Sequence, residues 1–317
     1  MALTGDIWLV GAGNMGVDYA KVLEDLGRPF LTIGRSAEAS RCFRERTGLE
    51  ASVGGLDAWF QESRDVPASA IVCVSTEEHA PVTRALLEYG VRTILLEKPG
   101  GVDRDQIATT AEAATRLNAE IYLAYNRRFF SSVRRLREIV AADGGVSSFY
   151  FDFTELVAKV SKLKKGPGVK EKWFLVNSTH VVDLAFFIAG RPVEIDTHSC
   201  GGLDWHPSAS VFSGSGISDS GALFSYAANW EAPGRWGVEM LTRSNRLVLR
   251  PLESLQVQPA GSFEAATEEI DDTLDADFKP GLHRMVSAFL DGDVGDFCTV
   301  EEQQQSMDLY YQMANYT

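Results

Sequence analysis

The segment Gly11-Ala12-Gly13-Asn14-Met15-Gly16 follows an apolar run at residues 7–10 with nothing between them and opens a stretch of helical periodicity. No other feature limits the possible folds as much. A glycine-rich turn between strand and helix permits a tight bend, lets backbone N–H groups approach a pyrophosphate, and allows close helix-on-strand packing. The helix N-terminus adds a preference for negative charge. The same strand-helix alternation continues, with strands expected at 30–33, 70–74, 93–96 and 121–124 and helices at 15–27, 37–48, 81–90 and 104–117. Gly27, Gly48 and Gly90 stand at helix C-cap positions. Repeated βα units predict an α/β domain with a doubly wound parallel sheet, so Gly11, Gly13, Asn14, Met15 and Gly16 read as a dinucleotide cradle.

The end of the second strand discriminates between dinucleotides, because a carboxylate there accepts hydrogen bonds from the adenosine ribose. This chain has Gly34-Arg35-Ser36 instead. A guanidinium beside a hydroxyl suits a 2′-phosphate, so NADP is the expected cofactor, with NAD as the alternative if Arg35 only stacks on adenine.

Beyond Arg127 the pattern changes to strands expected at 147–156, 193–200, 208–212, 221–231, 235–242 and 246–249, with a Gly/Ser-rich loop at 213–221 and one strongly apolar helix at 178–189. Two helices are expected after Pro280, the second opened by the capping box Thr299-Val300-Glu301-Glu302. The reading is an α+β domain with a large mixed, mostly antiparallel sheet. Residues 1–126 are thus expected to bind dinucleotide, and 127–317 to bind substrate and mediate oligomerisation, with the C-terminal helix packing back on the first domain. A chain of 317 residues, 45% hydrophobic, has apolar mass for two cores.

Forty-four acidic against thirty basic side chains, a formal charge of −14, argue against nucleic acid and anionic membrane surfaces as partners. Cys42, Cys73, Cys200 and Cys298 show no metal or disulfide spacing, and no metal is expected. The N-terminus has no basic leader and is expected to run straight into a strand, and no apolar run approaches the roughly 18 residues of a membrane span. A cytoplasmic location is expected.

Leu95-Leu96-Glu97-Lys98-Pro99 stands at a strand C-terminus, where open α/β sheets bind ligands. Together with Tyr125-Asn126-Arg127-Arg128-Phe129 and His180-Val181-Val182-Asp183, it makes nearly the whole chain resemble the Gfo/Idh/MocA family of nicotinamide-dependent oxidoreductases. The resemblance implies that Lys98 lies near the carbon exchanging hydride and that His180 is the general acid/base. Asp183, three residues on, would fix the imidazole or contact substrate. Expected cofactor contacts extend to Ser36, Ser75, Thr76, His79, Glu97, Lys98 and Asn126. Expected substrate contacts are Lys98, Asn126, Arg127, Trp173, Asn177 and His180. A homodimer or homotetramer is also implied.

Many sugar dehydrogenases of that family carry an aspartate four residues before the histidine, but this chain has Val176. Either Asn177 or Asn126 would then orient substrate without relaying a proton, or His180 and Lys98 would manage alone. Lysines 159, 162, 164, 165, 170 and 172 lie between Ala158 and Trp173 in an otherwise acidic protein, which suits an anionic substrate at a mobile lid or simply a solvated loop. Trp173, Phe174, Trp205, Trp230 and Trp236 are candidates for stacking on a sugar, though Trp230 and Trp236 are placed at strand positions, and His206 is a candidate polar contact. The expected reaction is interconversion of a secondary alcohol and a ketone on a sugar, sugar acid or nucleotide sugar. The alternatives are a reductase of another small molecule, such as a tetrapyrrole or imine, and a non-catalytic NADP-binding regulator.

Overall fold

The computed structural model describes residues 6–62 and 65–317. Residues 1–5, expected to lead directly into the first strand, lie outside the described residues. The chain forms two compact units. One runs to Tyr125 and resumes over Asp277–Ser306; the other comprises Asn126–Ala276 and Met307–Thr317.

The first unit contains β1 (Ile7–Val10), α1 (Asn14–Asp25), β2 (Phe30–Ile33), α2 (Ala37–Thr47), β3 (Ala51–Ser52), α3 (Gly55–Glu62), β4 (Ser69–Val72), α4 (His79–Tyr89), β5 (Thr93–Leu96), α5 (Arg104–Leu117) and β6 (Glu120–Leu123). Helix boundaries follow local chemistry. Gly48 ends α2 in the left-handed conformation, and the Asp103 carboxylate accepts from the Gln106 N–H to open α5. Strands β1 to β6 are parallel in the order β6-β5-β4-β1-β2-β3, and a late two-residue strand, Cys298–Thr299, adds antiparallel to β6. The chain reverses its direction of travel across the sheet between β1 and β4, and the crevice at such a switch point is where open α/β sheets take ligands. Both faces of β1 are buried, with Trp8 packed against Trp59, Phe60 and Tyr89. The two-residue strands and α3 are absent from the sequence reading because pieces so short carry no periodicity.

The second unit opens with α6 (Ser131–Ala142), β7 (Ser148–Asp152), the short α7 (Val157–Val160) and α8 (Thr179–Ala189). Strands β8 (Pro192–Cys200), β9 (Val211–Ser218), β10 (Leu223–Asn229), β11 (Gly237–Leu241), β12 (Asn245–Leu249), β13 (Gln256–Pro259) and β14 (Ala266–Thr267) complete an eight-stranded sheet, ordered β14-β13-β12-β11-β7-β10-β9-β8. The β7–β10 pair is parallel and the others are antiparallel. Phe149 and Phe151 on β7, with Phe224 on β10, pack against Phe186 of α8, so the apolar helix covers one face of the sheet. After α9 (Thr273–Asp277) come α10 (Leu282–Asp291), the edge strand β15 (Cys298–Thr299) and α11 (Val300–Ala314). The expected capping box is present: the Thr299 hydroxyl accepts from the Glu302 N–H at 3.2 Å, and Glu302 accepts from the Thr299 N–H at 3.1 Å.

Residues 213–221, expected to form a loop, instead belong largely to strand β9. Gly214 and Gly216 pair with Tyr226 and Phe224 of β10, whose rings occupy the space where a β-carbon at either glycine would sit. The small residues make room for cross-strand aromatic rings rather than breaking the strand. Trp230 follows β10 and Trp236 precedes β11, so neither occupies the expected strand position.

Candidate active site

In the first unit a cleft of about 570 Å³ opens at the switch point, lined by Gly11, Gly13, Asn14, Met15, Arg35, Ser36, Gly54, Gly55, Asp57, Ser75 and Glu78 among others. Its glycines fit a pyrophosphate. Gly11 has φ +127°, and a β-carbon there would lie 2.7 Å from the Cys73 carbonyl oxygen. A side chain at Gly16 would run into the Gly11 carbonyl, whereas Gly13 faces open space. No side chain caps α1 and its first turn carries no acid, which leaves the helix N-terminus available to an anion.

Arg35 and Ser36 lie at this cleft, but neither is idle. Arg35 Nη1 donates to Glu78 Oε1 at 2.8 Å, and the Ser36 hydroxyl accepts from the Ala39 N–H at 3.2 Å as the N-cap of α2. Two carboxylates nevertheless line the same cleft. Strand β2 offers none, but the turn after β4 supplies Glu78 and the start of α3 supplies Asp57.

Thr76, His79, Glu97 and Lys98 lie outside that lining. Glu97 accepts from the buried Tyr19 hydroxyl at 2.8 Å; burial first, then the Glu97 charge, pushes the Tyr19 phenol well above its ordinary value. Burial, Glu97 and Asp18 likewise raise the Cys73 thiol, which keeps it protonated and a poor nucleophile. Lys98 follows at the C-terminal end of β5, joined to Pro99 by a cis peptide. Buried Gln303 of α11 donates to the Pro99 carbonyl at 3.1 Å and accepts from Tyr125 at 3.0 Å, holding this turn. His79 is buried against the Val74 carbonyl at 3.3 Å, and its Nδ1 has no hydrogen-bond partner among the described residues. Burial, with a further push from the Lys98 ammonium, lowers its pKa to about 3, so the ring is neutral and Nε2 carries the proton.

In the second unit the chain makes a π-helical turn at Phe174–Ser178 before α8, an irregularity frequent at functional sites. Asn177 donates to both oxygens of Glu155 at 3.0 Å, and the Ser178 hydroxyl donates to the same carboxylate at 2.8 Å. Glu155, only 6% exposed, lines a cavity of about 480 Å³ with Arg127, Lys159, Arg235 and Trp236. The Trp236 ring stands 4.9 Å from the Arg127 guanidinium and 6.2 Å from the His180 ring. Asn126 accepts from Arg127 at 3.2 Å. Thus Asn126, Arg127, Asn177 and His180 gather around Glu155 and Trp236.

Three expectations are corrected here. Both oxygens of Asp183 are taken by Arg128, at 2.8 and 2.6 Å, in a buried ion pair, which commits that carboxylate away from the imidazole. Trp173 is buried edge-on against Trp205 and offers no face for stacking on a sugar. His206 is fully buried: Nδ1 donates to the Ala209 carbonyl and Nε2 accepts from the Tyr316 hydroxyl, both at 2.7 Å. Burial brings its pKa down to about 4. Of the lysine-rich segment, Lys159 reaches the cavity, Lys172 stacks over Tyr311 and Tyr316, and Lys170 donates to the Ser161 carbonyl.

Residues 6–125 match the model of the oxidoreductase family with an NAD-binding Rossmann fold, Gfo/Idh/MocA. Over those residues the chain is similar to the Gfo/Idh/MocA family. No curated protein matches its sequence. Solved structures share the fold over nearly the whole chain. UDP-N-acetylglucosamine 3-dehydrogenase GnnA from Acidithiobacillus ferrooxidans is 13% identical with a TM-score of 0.74, covering 98% of this chain and 97% of that one. An oxidoreductase from Agrobacterium radiobacter, solved with NAD+, L-tartaric acid and magnesium, is 12% identical with a TM-score of 0.78, covering 97% and 95%. The WlbA dehydrogenase from Chromobacterium violaceum, solved with NADH and UDP-GlcNAcA, is 15% identical with a TM-score of 0.70, covering 97% and 92%.

Several polar residues escape sequence reasoning: Glu78, Glu155 and Gln303. Each works through a partner distant in sequence, and no local motif marks them. Among the described residues no helix is long and apolar enough to cross a membrane.

Proposed function

We propose that the protein is a nicotinamide-dependent oxidoreductase interconverting a secondary alcohol and a ketone on a sugar, sugar acid or nucleotide sugar. The glycine cradle of a family-matched Rossmann domain, with Lys98 at the end of β5 in that domain, is the observation that carries this reading. A carbinol releases hydride only as its hydroxyl proton departs, so a base and a cation are needed at the oxygen. His180 takes that proton and Lys98 steadies the developing charge. The carbinol C–H hydrogen leaves with its electron pair, and the carbon becomes a carbonyl. The bound dinucleotide supplies the hydride acceptor.

Arg127 and Asn177 orient the substrate along the Trp236 face, and Lys159 and Arg235 favour an anionic group on it. Arg35 and the N-terminus of α2 favour NADP, with NAD also accepted. Two structures of similar fold, a UDP-N-acetylglucosamine 3-dehydrogenase and a dehydrogenase in complex with UDP-GlcNAcA, support the sugar reading. A cytoplasmic homodimer or homotetramer belongs to the same proposal.

Turnover is tested by offering sugars, sugar acids and UDP-sugars with each nicotinamide and following absorbance at roughly 340 nm. With the substrate so found, Lys98→Met is expected to lower kcat by at least about a hundredfold while calorimetric NADP+ affinity changes little. Undiminished kcat would remove Lys98 from the chemistry.

A further inference from the structure

The end of the second strand in a dinucleotide fold meets the adenosine ribose. Here it presents Arg35 and the N-terminus of α2, whose first residue is Ala37, with no carboxylate on the strand itself. The carboxylate arrives from another element. The turn after β4 carries Glu78 to Arg35, and both side chains line the glycine cleft together with Asp57. The backbone beneath is pinned: the Gly54 N–H donates to the Arg35 carbonyl at 3.1 Å and the Gly55 N–H to the Gly34 carbonyl at 2.9 Å. The side chains therefore do the adjusting. Arg35 is 74% exposed and Glu78 37%, so their bond is readily exchanged for another partner.

We propose that Glu78 sets the choice between NAD and NADP. Its carboxylate competes with a 2′-phosphate for the Arg35 guanidinium and repels the phosphate directly, while it can accept a hydrogen bond from a free 2′-hydroxyl. Arg35 without this opponent would commit the cleft to NADP, and Glu78 keeps NAD in contention. The inference deepens the nucleotide-binding reading and rests on it.

Calorimetric titration of NAD+ and NADP+ into the wild-type chain and Glu78→Gln provides the test, with no substrate required. NADP+ is expected to bind about tenfold more tightly to the variant, with NAD+ unchanged or up to about threefold weaker. Added salt should shrink the gain, and Arg35→Ala placed in the same variant should abolish it. Glu78→Ala serves as a second variant, with thermal melting to confirm that each is folded. A ratio of NADP+ to NAD+ affinity that stays within about twofold of wild type in the folded variants would overturn the proposal. Failure of the wild type to bind either nucleotide would overturn the dinucleotide reading beneath it.

Discussion

Asp183 stands three residues after His180, and a helix places such neighbours on one face, yet its carboxylate turns to Arg128 at 2.6 Å. Burial explains why this pair is committed. A buried charge is tolerated only when matched, and a guanidinium matches a carboxylate bidentately. Asp183→Asn is expected to lower the unfolding free energy by about 3–5 kcal/mol, because it strands the Arg128 charge. Replacing both, as Arg128→Met with Asp183→Leu, should recover most of the loss in urea denaturation. A change below about 1 kcal/mol in the single variant would mean that the pair contributes little.

At the scale of elements, α11 shows how a cap reaches a site. Its N-terminus is held by the reciprocal Thr299–Glu302 bonds, and one residue further along the helix Gln303 holds the Pro99 carbonyl of the Glu-Lys-Pro turn. Thr299→Ala is expected to cost about 1 kcal/mol, and amide exchange in the first turn of α11 should rise with it. Unchanged exchange would show that the cap does not govern the helix end. The π-helical turn before α8 has a comparable support in Glu155, which collects the Asn177 amide and the Ser178 hydroxyl. Strand β9 shows what pattern alone misses, since Gly214 and Gly216 resemble loop residues until the rings of Tyr226 and Phe224 are brought opposite them.

Among the described residues, each unit contains a buried histidine held neutral by its surroundings. His79 and His206 have pKa values lowered from 6.5 to about 3 and about 4, in both cases chiefly by burial. Between pH 6.5 and those values the unfolded chain binds protons that the folded chain does not. Stability is thus fully present above about pH 6.5 and falls as pH drops, with a slope approaching about 2.7 kcal/mol per pH unit near pH 5 if both units unfold together. Urea midpoints measured from pH 8 to pH 4.5 check this, and His206→Gln should flatten the dependence. A profile level down to pH 5 would show that these rings are not held neutral.

The parallel β/α alternation, the glycine turn, the left-handed cap at Gly48 and the capping box at Thr299 could be read directly, because each is set by residues within a few positions of one another. Lys98 and His180 could be singled out through the resemblance their motifs carry. The engagement of Arg35 by Glu78, of Asn177 by Glu155 and of Pro99 by Gln303 joins residues 43, 22 and 204 positions apart, and sequence spacing says nothing about such pairs. Local backbone preference and hydrophobic period determined from sequence alone that a dinucleotide fold forms and where its phosphate turn lies. Which carboxylates stand sealed in ion pairs and which face a cavity was decided only by tertiary packing, because desolvation and partner geometry exist only once distant segments meet.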